Sequence, residues 1–199
     1  SPDTSGQEGL MNEVLKAIKA RRSVRAYEPG KIPKEIINTI IEAANQAPSG
    51  MNSQPWRFVV VEDEALHKKL INTAVPNVKK LLEKVKTSNP ERYQAIMKRF
   101  EELDDPVYYS APAIIFVIGK GTYADLSCPL ACENMMLAAY SLGFGTCWVQ
   151  FGSLVTDNKE ITGALELKED EKIFGPILVG FPKSIPEPPA KKAPEIKWL

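Results

Sequence analysis

Arg21, Ser23 and Arg25 alternate within the run Arg21-Arg22-Ser23-Val24-Arg25-Ala26-Tyr27, directly after a helical pattern. Three arginines in five residues admit two readings. As the cationic end of a helix, they complement its dipole. In an extended segment, alternate residues point to one side. Two guanidinium groups and a hydroxyl on one face then suit a phosphate. A second stretch, Ala47-Pro48-Ser49-Gly50-Met51-Asn52-Ser53-Gln54-Pro55-Trp56-Arg57-Phe58, joins a helical pattern to a strand pattern. Pro48 and Pro55 stiffen it, Gly50 permits φ > 0, and Ser49, Asn52, Ser53 and Gln54 supply donors and acceptors. It reads either as an ordinary connection or as an exposed ligand loop.

The remaining reactive residues form no recognisable catalytic set. His67 is the only histidine and neighbours Lys68 and Lys69, so it reads as a solvated helix residue rather than a metal ligand. Cys128 and Cys132 lie four apart on one helical face. A redox or metal pair is one reading; small buried packing residues are the preferred one. Gly119-Lys120-Gly121 matches neither glycine fingerprint for nucleotides. No triad, carboxylate pair or metal cluster emerges.

Around these residues the periodicity sets out an ordered series of elements. Leu10 to Ala20 predicts a helix with Leu10, Val14 (or Leu15) and Ile18 on one face. Pro29-Gly30 marks a turn, and Pro33 opens a helix carrying Ile36, Ile37, Ile40, Ile41 and Ala44. Phe58 to Val61 predicts a strand, and Glu64 to Asn72 an amphipathic helix. Lys79 to Leu103 is charged and helical, with apolar positions that include Leu81, Leu82, Val85, Tyr93, Ile96, Met97 and Phe100. Ser88-Asn89-Pro90 divides it into two helices. Residues 76–105 therefore read as a lid-like helical insertion or a surface hairpin. Pro112 to Gly119 predicts a central buried strand. Tyr123 to Leu142 predicts an apolar helix with Leu130, Asn134, Leu137, Ala138 and Ser141 at helical spacing. Gly143-Phe144-Gly145 ends it, and Thr146 to Gly152 runs from a strand into a loop. A short helix over Asn158 to Leu165 and a last strand over Phe174 to Phe181 complete the core. The tail, 182–199, holds five prolines and is expected to be extended, with a second subunit as a surface to lie on.

The chain has 199 residues, 44% of them hydrophobic, which suits one domain with a substantial core. Lys+Arg and Asp+Glu are 25 each, so nothing global draws nucleic acid or an anionic membrane. No run of ~18 apolar residues predicts a membrane span. Residues 1–9 are small and polar, unlike a signal peptide, and are expected to be a disordered end or a remnant of cloning. Three cysteines cannot all pair internally, which fits a reducing cytoplasm.

Four segments, taken together, resemble the nitroreductase family of FMN-dependent oxidoreductases. They are Arg21 to Tyr27, Ala47 to Trp56, Glu133 to Ala139 continuing through Leu142 to Trp148, and Val179-Gly180-Phe181-Pro182 with the lysine-containing tail. They follow the family's order across nearly the whole chain. The resemblance implies a single α+β domain, a central mixed sheet flanked by helices, in an intertwined homodimer with FMN at the subunit interface. It implies that Arg21, with its neighbour Arg22, and the tail lysines Lys191 and Lys192 face the FMN phosphate. Ser23 is then placed near the ribityl chain and Arg25 near the pyrimidine edge, where a cation stabilises the reduced anionic flavin. Pro48, Ser49, Gly50 and Asn52 would reach the same flavin from the other subunit. Trp148 and Val149 lead into Gln150 and Phe151, which match the segment beside flavin N5; Asn77 is a candidate for the pyrimidine edge. Three positions depart from the common pattern: Gly50 for a serine, Gln150 for an acidic residue or glycine, and Glu133 for a glutamine.

The implied reaction is ping-pong hydride transfer from NADH or NADPH through flavin N5 to a nitroaromatic, quinone or similar electron-poor acceptor. Two alternatives stay open. A reductive dehalogenase of the iodotyrosine deiodinase type would use lid residues, for which Glu91, Tyr93 and Lys98 are the corresponding positions. A non-catalytic flavin-binding protein would bind FMN without turnover.

Overall fold

The computed structural model describes residues 11–84 and 86–199. The expectations for residues 1–9, Leu10 and Val85 lie outside the described residues. The elements run α1 (Glu13–Ala20), β1 (Tyr27–Glu28), α2 (Lys34–Asn45), β2 (Trp56–Val61), α3 (Glu64–Glu83), α4 (Pro90–Glu102), β3 (Ala113–Lys120), α5 (Ala124–Ser141), β4 (Gly145–Trp148), α6 (Lys159–Ala164) and β5 (Glu171–Pro182).

The sheet order is β1-β5-β3-β2, and β4 pairs with β5. All named strand pairs are antiparallel, and a parallel bridge between Ser23 and Thr146 gives the sheet its mixed character. β3 is apolar at successive positions because both of its faces are buried. Ala113, Ile115 and Val117 turn toward α2 and α5, whereas Ile114, Phe116 and Ile118 turn toward α3. At the other end of β5, Arg57 clamps Glu171 through Nε–Oε1 (2.9 Å) and Nη2–Oε2 (2.7 Å), and this pairing lowers the Glu171 carboxyl to about 2.

Three expectations need correction. The helix starting at Glu64 does not stop at Asn72 but continues through Pro76 to Glu83. Leu70, Ala74, Val78 and Leu82 form an unbroken buried stripe along it. An interior proline costs about 3 kcal/mol. Burying Val78 and Leu82 returns about 1.5–3 kcal/mol each, enough to carry the helix past it. Within the expected insertion, Val78 and Leu82 of α3 and Phe100 of α4 are buried in one core cluster.

α5 buries a different face from the expected one. Ala124, Ser127, Cys128, Ala131, Cys132, Met135, Met136 and Ala139 face inward, while Leu130 and Ser141 are exposed. Small residues let the helix lie close to the sheet. α1 buries no residue, so Val14, Leu15 and Ile18 stand exposed on the single chain.

The third correction concerns His67. Rather than being solvated, it places Nε2 2.9 Å from Oδ2 of buried Asp105.

Candidate cofactor site

Gly145 determines how the arginine run meets the sheet. A Cβ there would lie 2.8 Å from Val24 Cγ2, so only hydrogen allows the close approach. Val24 N–H donates to Thr146 O at 2.8 Å, and Ser23 bridges to Thr146 in parallel register. The segment is thus extended after α1, as the alternation of Arg21, Ser23 and Arg25 requires.

Arg21 and Arg22 border a small recess with Tyr140, Gly145 and Thr146. Arg21 Nε is 3.8 Å from Glu133 Oε1, while Arg21 Nη1 and Thr146 Oγ1 are buried without a hydrogen-bond partner. Such orphans are costly and accept a polar ligand readily. Arg22 instead donates Nη1 to the carbonyls of Lys19 and Arg21, both at 2.6 Å.

Arg25 opens onto a separate cavity of about 270 Å³, lined also by Trp148, Val149, Gln150 and Phe151. The expected arginine and the expected loop therefore meet. Gln150 Oε1 accepts from Trp148 Nε1 at 3.0 Å, and Gln150 Nε2 donates to Ser153 Oγ at 3.1 Å. These bonds hold the 3-10 turn Gln150–Ser153 in one conformation.

Three groups that the sequence did not single out shape this cavity. Arg92 and Arg99 of α4 line it, as does Tyr109, which interacts with both Arg25 and Arg99. Arg99 Cζ lies 5.8 Å from the Tyr109 ring centroid. Burial raises the Tyr109 hydroxyl pKa, and the two arginines pull against that shift. Both Tyr109 and Ser110 have φ of 53°, a strained conformation for side-chain-bearing residues. Asp105 holds the turn by accepting from the N–H groups of Val107, Tyr108 and Ser110. Burial opposes ionisation of Asp105, but bonds from His67, Tyr108 and Ser110 outweigh it and keep the carboxyl below its usual range. The dipeptide Asp105-Pro106 was the available signal, since Asp before Pro favours such a turn.

The loop 47–55 lies elsewhere. Ser49 Oγ accepts from Gln54 N–H at 3.0 Å, and Met51, Asn52 and Gln54 all take positive φ. Gly50 is required because a Cβ would lie 2.4 Å from the Tyr123 ring. Trp56 pairs with Gly119, which pairs with Lys172, whereas Ser23 meets Thr146, opposite Val179. Seven residues of β5, about 23 Å at ~3.3 Å per residue, separate those two levels of the sheet. Within one chain, Pro48, Ser49, Gly50 and Asn52 are not brought to Arg25.

Two more expected positions stand apart. Asn77 Nδ2 donates to Leu154 O (3.0 Å) and Asp157 Oδ1 (2.9 Å), tying α3 to the loop before α6 rather than entering the Arg25 cavity. Lys191 and Lys192 are exposed on the extended tail. Ile185 of that tail reaches the Arg21 recess.

Residues 18–181 match the profile described as the Nitroreductase family. A protein of Archaeoglobus fulgidus, whose name of NADH dehydrogenase/NAD(P)H nitroreductase is itself provisional, is 32% identical over 87% of this chain and 87% of its own. An iodotyrosine deiodinase of Thermotoga neapolitana is 34% identical over 64% of this chain and 68% of its own. The crystal structure of a nitroreductase with bound FMN from Desulfitobacterium hafniense superposes with a TM-score of 0.80 at 27% identity, covering 95% of this chain and 99% of the other. No helix among the described residues is long and apolar enough to cross a membrane.

Proposed function

Because the chain belongs to the nitroreductase family, we propose that it is an FMN-dependent oxidoreductase working as a homodimer. The observation that carries this reading is the cavity shared by Arg25 with Trp148, Val149, Gln150 and Phe151. When bound, FMN would supply hydride transfer from NADH or NADPH through its N5 to an electron-poor acceptor such as a nitroaromatic or quinone.

The chain's own residues position and polarise. Arg25 puts a fixed cation beside the cavity, suited to charge that develops on a reduced ring. Gln150, bonded on both sides, fixes the backbone that borders the same space. Arg21 offers a buried, unpartnered Nη1 donor to a phosphate, with Ser23 next to it on the extended segment.

A second subunit is integral to the proposal. The separation along β5 keeps Pro48, Ser49, Gly50 and Asn52 from the Arg25 cavity of their own chain. A partner would bring them there, and would cover exposed Val14, Ile18 and Leu130 and the tail residue Trp198 (89% exposed). It would also carry Lys191 and Lys192 toward a phosphate. Cytoplasmic residence accords with three unpaired, buried cysteines.

Reductive dehalogenation is the second reading, favoured by the likeness to the Thermotoga deiodinase. Of its lid positions, Tyr93 donates Oη to Glu83 Oε1 at 2.6 Å, and Lys98 pairs with Glu102 at 3.7 Å.

The test is an absorbance spectrum of protein incubated with FMN and freed of excess, followed by anaerobic NADH and NADPH. Retained flavin that bleaches with a nicotinamide and recovers with a quinone is expected. A protein that retains no flavin overturns the reading, and flavin that neither nicotinamide reduces leaves only a binding role. Halide release from a halotyrosine would favour the second reading.

A further inference from the structure

The Arg25 cavity carries more positive charge than a flavin edge requires. Arg25, Arg92 and Arg99 all line it, and no carboxylate does. None of the three is ion-paired among the described residues, although α4 contributes Lys98–Glu102 on its outer side. Tyr109 is the neutral group that both Arg25 and Arg99 approach. Arg99 Nε is buried and has no hydrogen-bond partner. A desolvated guanidinium donor without an acceptor is an arrangement that a bound anion relieves. Arginine presents a planar fork that matches a carboxylate, so the ligand chemistry follows from the donor type.

Resting on the flavin-reductase reading, we propose that the acceptor is itself anionic, an aromatic carboxylate or sulfonate bearing a reducible nitro or quinone group, with Arg92 and Arg99 holding its charge. The overall step balances as ArNO2 + NADH + H⁺ → ArNO + NAD⁺ + H2O, in which the nicotinamide is oxidised and the nitro group reduced by two electrons. The arginines take no part in bond changes; they select which acceptor resides in the cavity and in which orientation. A charged pair of this kind distinguishes an anion from its neutral isostere by about 10-fold or more.

Two measurements on the FMN-loaded dimer test this. The first compares kcat/KM for 4-nitrobenzoate and 4-nitrobenzamide, which share size and shape. The amide withdraws more electron density from the ring, so intrinsic reactivity favours the neutral compound. We expect the carboxylate to be preferred by about 10-fold. That ratio should fall toward one in Arg92→Gln and Arg99→Gln, whatever the absolute rate, and be largely kept in Arg92→Lys. The second is calorimetric titration with benzoate, which cannot be reduced. Wild type should bind it, and the double variant at least about 10-fold more weakly. Should the variants not fold, raising salt on the wild type must erode the carboxylate preference. Reduction of 4-nitrobenzamide without any preference for 4-nitrobenzoate overturns this inference and leaves the reductase reading standing. Flavin that nicotinamides cannot reduce overturns the reductase reading, while benzoate binding still reports on the arginines. Variants that raise KM for the nicotinamide but leave the acceptor ratio unchanged assign the arginines to the donor's phosphates and overturn the inference.

Discussion

Tyr108 Oη donates to Gly152 O at 2.9 Å, deep between α3 and the turn Gln150–Ser153. Tyr108 is fully buried, and a Cβ on Gly152 would lie 2.7 Å from its ring. The tyrosine therefore sets the height of the turn that borders the Arg25 cavity.

Removing that hydroxyl leaves a buried carbonyl without its donor. Tyr108→Phe should lose about 1–3 kcal/mol in urea unfolding. If the turn matters to function, the variant should also show a slowed flavin reduction at unchanged FMN affinity. A loss below about 0.5 kcal/mol, the scale of a neutral surface change, would mean that the bond does not hold the turn.

Asp105 holds the turn 105–110 that carries Tyr108, through His67 and the N–H groups of Val107, Tyr108 and Ser110. Its folded carboxyl is depressed below the ordinary value of about 3.9. The sign follows: the stabilisation is present above about pH 4 and disappears as pH falls through the lower folded value. Asp105→Asn puts an amide donor against existing donors, so it should cost about 2 kcal/mol at pH 7. The gap between variant and wild type should narrow in acid. A gap that is constant from pH 7 to pH 3 would exclude a charge-based role for Asp105.

Gly145 admits Val24 against β4, and with it the whole arginine run. Gly145→Ala forces the two apart, an overpacking of about 1–3 kcal/mol. FMN affinity, read by fluorescence titration, should drop by roughly 10-fold, because Arg21 and Arg25 shift together. Unchanged affinity would separate the arginine run from the flavin site.

Cys128 and Cys132 are fully buried. Burial, with Asp125 nearby, pushes the Cys128 thiol up to about 11; burial with Cys128 nearby pushes Cys132 up to about 12. A thiol-specific reagent at pH 8 should label neither in the folded protein and both in denaturant. Rapid labelling of the native protein would restore a redox role for the pair.

The local sequence already carried much of this molecule. The α2 stripe of Ile37, Ile40 and Ala44, the continuous apolar run of β3 and the short helix α6 follow from local pattern alone. The alternation of Arg21, Ser23 and Arg25 was equally legible, because an extended backbone makes alternate residues face together. The far end of α3 misled, since the local pattern stops at Asn72 whereas the Leu70-Ala74-Val78-Leu82 stripe that carries the helix through Pro76 acts only through packing. His67 misled for a related reason: its partner Asp105 is 38 residues away.

What the sequence by itself determined was therefore most of the elements and the alternation that Arg21, Ser23 and Arg25 keep along an extended segment. Tertiary structure alone decided that α4 delivers Arg92 and Arg99 to Arg25, and that the loop 47–55 sits at the far level of the sheet. The physical reason is range: backbone periodicity and caps act over one or two turns, whereas strand register and helix packing join residues that are distant along the chain.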